Sequence, residues 1–427
     1  MKKILFIIPY VPYPLNSGGN QAFFNMVEYI KDKMSVSILL YPKTGQDLIN
    51  IEKLKKVWPN VVHFFVFKLD APKFGNSLYI SVLQKIRASI TRKIRRHLIK
   101  QENDPIREKS LLSQSYYPEL PSQYLDYVAK ISRSGFDIIQ VEFFELIALG
   151  YILPPDTESV FVHHEIRYVR NENEMALFNN LTEREKMYFQ LAKDYERVAL
   201  LQYKHVIVLT ETDKNILKQL TNKENIYASP AIVRLSENIF QPITTNRLTF
   251  LGSGGHYPNN DAMKWFASEI IPILRKKNFH FTLEVIGSWN PKEAKTMENA
   301  SEIEMTGFVP NLHQYLNGSI SIIPVRIGSG MRMKALDAIA AQAPIISTSK
   351  GIEGIDLRHN EECLIADSPE KFAQEIIRLS QDINLQKKLS SQAYNRLKQL
   401  YKPEEMLKRR MDIYNQILLS DKNFAKA

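Results

Sequence analysis

The chain has 427 residues, and a single hydrophobic core rarely grows beyond about 250–300 residues, so we expect two domains. Apolar residues make up 44% and charged residues 24% of the chain, a globular composition that excludes a fibrous repeat and wholesale disorder. The single cysteine, Cys363, excludes an intramolecular disulfide and a four-thiolate zinc site. The 56 Lys and Arg against 46 Asp and Glu give a net charge of +10, which favours an anionic partner.

The distribution of apolar residues argues against a membrane-spanning or exported protein. No apolar run reaches the length of about 18 residues that indicates a spanning helix. After Met1-Lys2-Lys3, only five apolar residues precede Pro9, which is too few for a signal peptide. We therefore expect a cytoplasmic protein.

Strand-like and helix-like segments alternate through the first half of the chain. Lys3 to Ile8 is a continuous apolar run, as in a parallel strand buried on both faces, and a helical spacing begins near Asn20. Val36 to Leu40 completes a strand–helix–strand unit. Further strands are predicted at Val61 to Phe67, Phe136 to Val141, Val160 to His163 and His205 to Leu209, with a helix at Glu183 to Leu201. This alternation predicts a parallel sheet with helices on both faces.

A second series of the same kind follows a linker. Ala228 to Asn246 loses periodicity and contains two prolines, so we interpret it as the connection. Strands are then predicted at Leu248 to Gly252, Phe281 to Ile286, Ile303 to Val309, Ile320 to Val325, Pro344 to Thr348 and Cys363 to Ala366. Helices are predicted at Asp261 to Lys277 and Met333 to Ala341, followed by a mostly helical tail from Pro369 to Leu419. A ligand of two such halves would lie between them, at the carboxyl ends of the strands.

Residues 83–100 combine an apolar stripe with a wide basic face. The stripe recurs at helical spacing, and seven Lys or Arg lie between Lys85 and Lys100 with no acid. One interpretation is a helix on an anionic membrane surface, here the inner face of the plasma membrane. The other is an ordinary amphipathic helix with a solvated basic face. Nucleic acid is not expected, because no aromatic residues interleave with these cations and no nucleic-acid-binding module is visible.

Two motifs in the N-terminal half could carry chemistry. Ser17-Gly18-Gly19 lies between the first strand and the first helix, where glycines allow close approach of a ligand and the helix start offers N–H groups to an anion. Such a turn alone is more often structural, and the full G-x-G-x-x-G pattern of a nicotinamide dehydrogenase is missing. His163-His164-Glu165 ends a strand, where a neutral histidine can accept a hydrogen bond from a substrate hydroxyl. The alternative is a structural histidine.

The most informative segment runs from Pro324 to Ala338, after a buried strand and into a helix. Gly328 and Gly330 free the backbone for close approach. Arg332 and Lys334 lie in the first helical turn, where the helix dipole disfavours cations unless a polyanion offsets it. Asp337 can accept hydrogen bonds from a pair of sugar hydroxyls. Together these residues indicate a nucleotide-diphosphate site, and the alternative is a solvated, charged helix start.

The motifs together resemble the GT-B glycosyltransferases of family 4, which are retaining enzymes that use nucleotide sugars. The segments that carry the resemblance are Ser17 to Gln21, His163 to Arg167, Phe250 to Ser253, Thr306 to Pro310 and Pro324 to Thr348. The resemblance implies an α/β chain with the GT-B fold, in which two doubly wound Rossmann-like domains face a central cleft. It implies an acceptor-side domain at residues 1–235, a donor-side domain at 236–400 and a helical C-terminal tail at 401–427 that packs back on the first domain.

The resemblance also implies roles for individual residues. His164, or His163 in the alternative alignment, would contact the donor sugar, Arg332 and Lys334 would stabilise the leaving diphosphate, and Asp337 would hold the ribose. The remaining implied donor or nucleotide contacts are Gly19, Gly252, Ser253, Phe308, Val309, Ser329 and Gly330.

Three departures from the family pattern concern the donor site. Ser329 stands where the family often has the first of two glutamates, and Asp337 replaces the second. The family's arginine and lysine near the first strand of the C-terminal domain correspond to Ser253 and approximately Asn260. Arg332 stands where the family often has glycine, so Arg332 and Lys334 could supply the missing cations from the other loop.

We therefore predict a retaining hexosyltransferase that moves a sugar from a nucleoside-diphosphate sugar to a saccharide or lipid-linked acceptor. Its setting would be the assembly of a surface polysaccharide or glycolipid. We expect no cofactor and no metal, because side-chain cations and helix N-termini can meet the diphosphate charge. Two alternatives stay open: a non-catalytic nucleotide-binding partner subunit of another glycosyltransferase, and a nucleotide-sugar 2-epimerase of the same fold.

Overall fold

The computed structural model describes residues 1–15, 18–68, 112, 115, 118–233, 235, 241, 246–297 and 300–424. The basic segment 83–100, Asn16 and Ser17 lie outside the described residues. Contact of that segment with a membrane surface therefore stays a prediction. Within the described part of the chain, no helix combines the length and the apolar character needed to cross a bilayer.

The first domain is built on a seven-stranded parallel sheet in the order β3-β2-β1-β4-β5-β6-β7. Its strands are β1 (Lys3–Ile8), β2 (Ser35–Leu40), β3 (Val62–Val66), β4 (Ile138–Glu142), β5 (Glu158–His163), β6 (His205–Val208) and β7 (Ile226–Ala228). Its described helices are α1 (Gly18–Ile30), α2 (Gly45–Val57), α3 (Ser122–Ser132), α4 (Arg167–Met175), α5 (Glu183–Leu200) and α6 (Glu211–Thr221), with a 3₁₀ segment at Phe144–Ile152.

The second domain is built on a six-stranded parallel sheet in the order β10-β9-β8-β11-β12-β13. Its strands are β8 (Arg247–Leu251), β9 (Thr282–Ile286), β10 (Ile303–Gly307), β11 (Ile320–Ile323), β12 (Ile345–Ser347) and β13 (Leu364–Ile365). Its helices are α7 (Tyr257–Trp265), α8 (Ile271–Lys276), α9 (Pro291–Ala294), α10 (Leu312–Leu316), α11 (Met333–Ala340), α12 (Pro369–Gln381) and α13 (Ile383–Leu400). Single-turn segments lie at Phe266–Ile270, Lys295–Met297 and Lys350–Ile352.

The strand registers bring the carboxyl ends of the central strands to one edge of the first sheet. Ile7 of β1 pairs with Val141 of β4, and Glu142 of β4 pairs with Val162 of β5. The residues that follow these strands therefore lie side by side, facing the second domain. This is the edge where doubly wound sheets bind ligands.

The last described helix, α14 (Pro403–Phe424), returns to the first domain. Ile413, Tyr414 and Ile417 are buried in the core that α1 and the strands β1 and β2 form. Arg410 donates from Nε to the Ser229 hydroxyl over 2.8 Å. The N-terminal core is thus completed by residues nearly 400 positions away from α1, since Tyr414 contacts Met26 across 388 positions.

The predicted strands lie within two residues of the observed ones at each end. The helix predicted from Asp261 begins earlier, at Tyr257, because Pro258 occupies the first turn, where its missing N–H costs no hydrogen bond. The strand β7 was not predicted. Its three residues are too few for a periodic pattern, and it pairs at the edge of the sheet beside β6.

Candidate active site

A glycine loop, residues 328–330, contacts the first domain at the end of β5. Gly330 has a φ of +77°, and a Cβ atom placed on it would lie 2.2 Å from the carbonyl oxygen of His164. Only a glycine fits this position, both for its backbone conformation and for the closeness of the opposite backbone. The two domains therefore touch at the residues that the sequence marked on each side.

Ser329 joins the domains through the backbone of Ile166. The Ile166 N–H donates to the Ser329 hydroxyl over 2.6 Å, and that hydroxyl donates to the Ile166 carbonyl over 3.3 Å. Next to it, the Gly328 N–H donates to Asn173 Oδ1 over 3.3 Å. The serine that replaces the family's first glutamate thus contributes to the domain contact. Sequence reasoning missed this role because it depends on the neighbouring domain.

The two histidines at the end of β5 have different surroundings. His163 is fully buried, and its Nε2 lies 2.6 Å from Glu196, whose carboxylate also accepts the N–H groups of Arg167 and Tyr168 at the start of α4. The side chain of His164 is 29% exposed and lies 2.9 Å from Glu142 through Nε2. Of the two, His164 is the one that lines the cavity between the domains.

Lys334 lies beside the turn that follows β8. Its Nζ donates to Asn259 Oδ1, while Asn259 Nδ2 donates to the Ser253 carbonyl over 2.9 Å. A Cβ on Gly252 would meet the Asn259 amide at 2.6 Å, so Gly252, Ser253 and Lys334 are held together around Asn259. The ammonium group therefore reaches the region where the family has its own cations.

Burial, and to a lesser extent the positive charge of Arg332, lower the pKa of Lys334 to about 7 against the opposing effect of Glu165. A lysine in this state gains more from a nearby anion than a solvated lysine does, because the anion favours its charged form. Strongly shifted pKa values in a cleft are typical of functional groups.

Arg332 is buried behind the glycine loop. Its Nη1 donates to the Ser329 carbonyl over 2.6 Å, its Nε donates to the Lys350 carbonyl over 2.9 Å, and its Nη2 lies 3.3 Å from Glu353. These partners use all three nitrogens of the guanidinium group. In this conformation Arg332 supports the loop, and its charge acts on the cleft through space.

Two further charged residues, Glu165 and Arg170, complete the site, and neither of them was assigned a role from the sequence. Arg170 of α4 is buried, and its Nη1 donates to Glu165 over 2.9 Å. Burial opposes the ionisation of Glu165, but Arg170, His256 and Arg167 outweigh it and hold the pKa of that carboxyl below its usual value. The sequence feature that could have indicated this pair is Glu165-x-x-x-x-Arg170, directly after the strand end.

Asp337 lies in α11, and Phe308 and Val309 lie in the loop after β10. Asp337 Oδ1 lies 3.5 Å from His313 Nε2, and both side chains are partly exposed. Phe308 is 67% exposed, although large apolar side chains are usually buried, and Val309 packs against the core beside it. An exposed ring can stack on a base, and a carboxylate can accept hydrogen bonds from a ribose.

A cavity of about 100 Å³ lies beside His164, between the first domain, the connection at 229–232, Met333 of the second domain and α14. Most of its lining is apolar, and its charged or titratable members are Tyr10, Glu142, His164 and Arg410. Gly19 lines it too, and a Cβ on Gly19 would meet no atom within 4 Å. Among the residues that the structure describes, no three His, Cys, Asp or Glu side chains are grouped as a metal site would require.

Comparison with known proteins identifies the architecture. Residues 245–382 match the family model of glycosyl transferases group 1. The chain has the GT-B fold. Two solved structures resemble it with a TM-score of 0.66 and 12% identity: a Staphylococcus aureus TarM mutant in complex with fondaparinux, α-GlcNAc-glycerol and UDP, and a sucrose-phosphate synthase from Thermosynechococcus elongatus. They cover 97% and 98% of this chain, and 100% of each of those chains is covered.

A curated relative comes from Klebsiella pneumoniae, where it is described as an uncharacterized protein of the cps region. It is 22% identical over 419 residues, which are 94% of this chain and 97% of the relative. The resemblance to group 1 glycosyltransferases that the motifs predicted is confirmed, and these findings support a glycosyltransferase. Membership of family 4 stays a prediction.

Proposed function

We propose that the protein is a retaining glycosyltransferase that holds a nucleoside-diphosphate sugar against the second domain and an acceptor against the first. The observation that carries the proposal is the Lys334 ammonium group, enclosed in the cleft beside Gly252 and Ser253 with its pKa lowered to about 7. A desolvated cation between glycine turns suits a diphosphate, whose charge it would stabilise as the bond to the sugar breaks. Retention of configuration rests on the family resemblance.

The other residues of the cleft fit the same substrate. Asp337 would accept hydrogen bonds from the ribose, and the exposed Phe308 ring would lie against the base. The N–H groups at the starts of α7 and α11 would meet phosphate oxygens. The proposal needs no metal, because these groups and Lys334 can meet the charge. We propose uridine as the base, since the TarM structure that resembles this chain contains UDP.

The acceptor would lie on the side of His164 and the apolar cavity. We propose that it is a growing saccharide of a surface polysaccharide, carried on an apolar group. The support is the apolar lining of that cavity and the cps-region origin of the Klebsiella pneumoniae relative.

The test is the thermal stability of the purified protein with a panel of nucleoside diphosphates and their sugars. A ligand present at 100 times its dissociation constant adds about 2.7 kcal/mol to the free energy of unfolding. We expect UDP and one UDP-sugar to raise the melting temperature, and Asp337→Asn to weaken UDP binding by about tenfold, since one lost hydrogen bond to a charged group costs about 1.5 kcal/mol.

Two outcomes would contradict the proposal. If no nucleotide raises the melting temperature, the proposed donor site is wrong. A shift without transfer or donor hydrolysis, together with co-purification of a second transferase, would favour the non-catalytic subunit. Ser329 favours that alternative, because its hydroxyl is used in the domain contact in place of a glutamate that would hold the sugar. Conversion of the donor without any acceptor would indicate the epimerase.

A further inference from the structure

We propose that Glu142, Gln140 and Tyr414 are positioning residues that fix the protonation pattern of the His164 ring. In this arrangement Nε2 carries the proton and Nδ1 accepts a hydrogen bond from a sugar hydroxyl in the cleft. The role of that hydroxyl rests on the proposed function, whereas the state of the ring does not.

A continuous chain of hydrogen bonds leads from α14 to His164. The Tyr414 hydroxyl donates to Gln140 Oε1 over 2.7 Å, and Gln140 Nε2 donates to Glu142 Oε1 over 2.7 Å. The other oxygen of Glu142 lies 2.9 Å from His164 Nε2. Tyr414, Gln140 and Glu142 are buried, so no solvent competes strongly for these bonds.

The donor and acceptor of every hydrogen bond in this series follow from the Glu142 carboxylate. Ionised Glu142 can only accept, so the amide nitrogen of Gln140 must face it and the amide oxygen must face Tyr414. For the same reason the Nε2 atom of His164 must carry a proton. In the neutral ring the lone pair is then on Nδ1, which is the acceptor state that a sugar hydroxyl requires.

The plane of the ring is fixed as well. The Phe143 ring stacks on His164 at a centroid distance of 3.9 Å and an angle of 9°. The Tyr10 ring packs edge-on against the Phe143 ring, with centroids 5.1 Å apart. Phe143 has a φ of +70°, a costly conformation for a bulky residue, which places its ring between Tyr10 and His164. Because both its orientation and the position of its proton are fixed, the His164 ring is preorganised to accept one hydrogen bond at Nδ1.

Tyr414 makes the C-terminal helix part of this arrangement. Its hydroxyl is the outermost donor, and α14 is anchored nearby by the Arg410–Ser229 bond. His164 lies in the first domain's β5–α4 connection, whereas α14 follows the whole second domain. The group that contacts the substrate is therefore supported from the far end of the chain.

The test is the ¹⁵N NMR spectrum of histidine-labelled full-length protein at a pH of about 8.5, where imidazole is ordinarily neutral. The chain has nine histidines, and the His164 signals are those missing in His164→Gln. We expect a protonated Nε2 and an unprotonated Nδ1 in the wild type. A proton on Nδ1 in the wild type would overturn the inference.

Glu142→Gln is the decisive variant, because it keeps the shape of the side chain and should move the proton of the His164 ring from Nε2 to Nδ1. Arg410 can only donate to the Tyr414 hydroxyl, so Tyr414 still donates to Gln140 and Gln140 still donates toward position 142. The new amide then presents its oxygen to Gln140 and its nitrogen to His164. Nε2 then becomes the acceptor and the proton moves to Nδ1. We expect kcat to fall by about 100-fold, the lower range for a positioned acid–base group, with UDP affinity changed less than about twofold. An unchanged ring state or an unchanged kcat would contradict the inference.

Tyr414→Phe gives a milder and better-tolerated test. It removes only the hydroxyl, and we expect a mixture of the two ring states and a loss of kcat of about fivefold, near the value of one neutral hydrogen bond. Tyr401→Phe is the matched control: Tyr401 is also buried, and its hydroxyl makes no hydrogen bond to the described residues. Because the spectrum needs no ligand, a failed nucleotide panel would refute the proposed function and leave the ring state to be judged separately.

Discussion

The two sides of the cleft hold their functional groups by different means. On the side of the first domain, His164 is fixed by a carboxylate, an amide and a stacked ring. On the side of the second domain, Lys334 is enclosed with one amide oxygen as its hydrogen-bond partner, and its pKa lies below its usual value. The partners of His164 on the first side are all groups of the protein, whereas on the second side the proposed diphosphate would add negative charge beside Lys334. Under the proposed function, the first side would orient the substrate and the second would supply binding energy.

The contact between the two sides is the first place to test this comparison. Gly330→Ala would place a methyl group 2.2 Å from the His164 carbonyl, so the glycine loop would have to withdraw. We expect a loss of stability of about 2–4 kcal/mol and loss of sugar transfer. Denaturant unfolding and a transfer assay measure both.

Gly307→Ala is the matched control for that substitution. Gly307 has the same φ of +77°, but a Cβ on it would meet no atom within 4 Å. We expect only the backbone strain, about 1–2 kcal/mol. Equal effects of the two substitutions would mean that the contact across the cleft contributes nothing.

Lys334→Met tests the binding side. We expect UDP affinity to fall by about 100-fold, since a hydrogen-bonded charge pair is worth about 1.5–3 kcal/mol. In the wild type, affinity should fall as the pH rises above about 7, because Lys334 loses its proton and the phosphate is already ionised. Isothermal titration between pH 7 and pH 9 measures both effects.

Lys334→Arg separates the charge from its titration. An arginine stays charged, so this variant should bind UDP with no loss of affinity over that pH range.

The stability of the wild type should also depend on pH. The pKa of Lys334 lies below its unfolded value, so the unfolded state binds more protons between about pH 7 and 10.5, and the free energy of unfolding should rise with pH there. A wild-type affinity that is flat above pH 7 would show that Lys334 does not contact the nucleotide.

Ser329→Ala should have the smallest effect. It removes the hydroxyl that receives the Ile166 N–H, at a cost of about 1 kcal/mol. Ser391→Ala is a suitable control, since that hydroxyl is exposed and bonds only within its own helix. Small-angle scattering should show a larger radius of gyration for Ser329→Ala alone. Identical scattering curves would mean that the serine does not hold the domains together.

The fold could be predicted from the sequence because its signals are local. The apolar run Lys3 to Ile8 predicts a buried strand, and the structure places a strand there with the same bounds. Glu183 to Leu201 predicts a helix, and Thr182 and Glu185 provide its capping box. The helix predicted from Asp261 begins at Tyr257, because a proline is compatible with the first helical turn and the apolar spacing alone does not mark that turn.

The candidate site residues that the sequence indicated lie in short motifs. Gly330, Lys334 and Asp337 share one segment, so the resemblance could indicate them together. Glu142 was missed, although a glutamate in an otherwise apolar strand must find a hydrogen-bond partner when buried. Its partners are 22 and 2 positions away, and their support comes from 274 positions away, which no local pattern contains.

The return of α14 to the first domain also has a consequence for biosynthesis. Ile413, Tyr414 and Ile417 fill part of the core beside α1, so the N-terminal domain cannot complete that core while the ribosome is still translating the second domain. The nascent first domain must wait, with an exposed apolar surface, for the entire second domain to emerge. Such surfaces are the ones that chaperones cover and that aggregate when they are not covered. Maturation of the first domain is therefore a late event, and it coincides with completion of the support for His164.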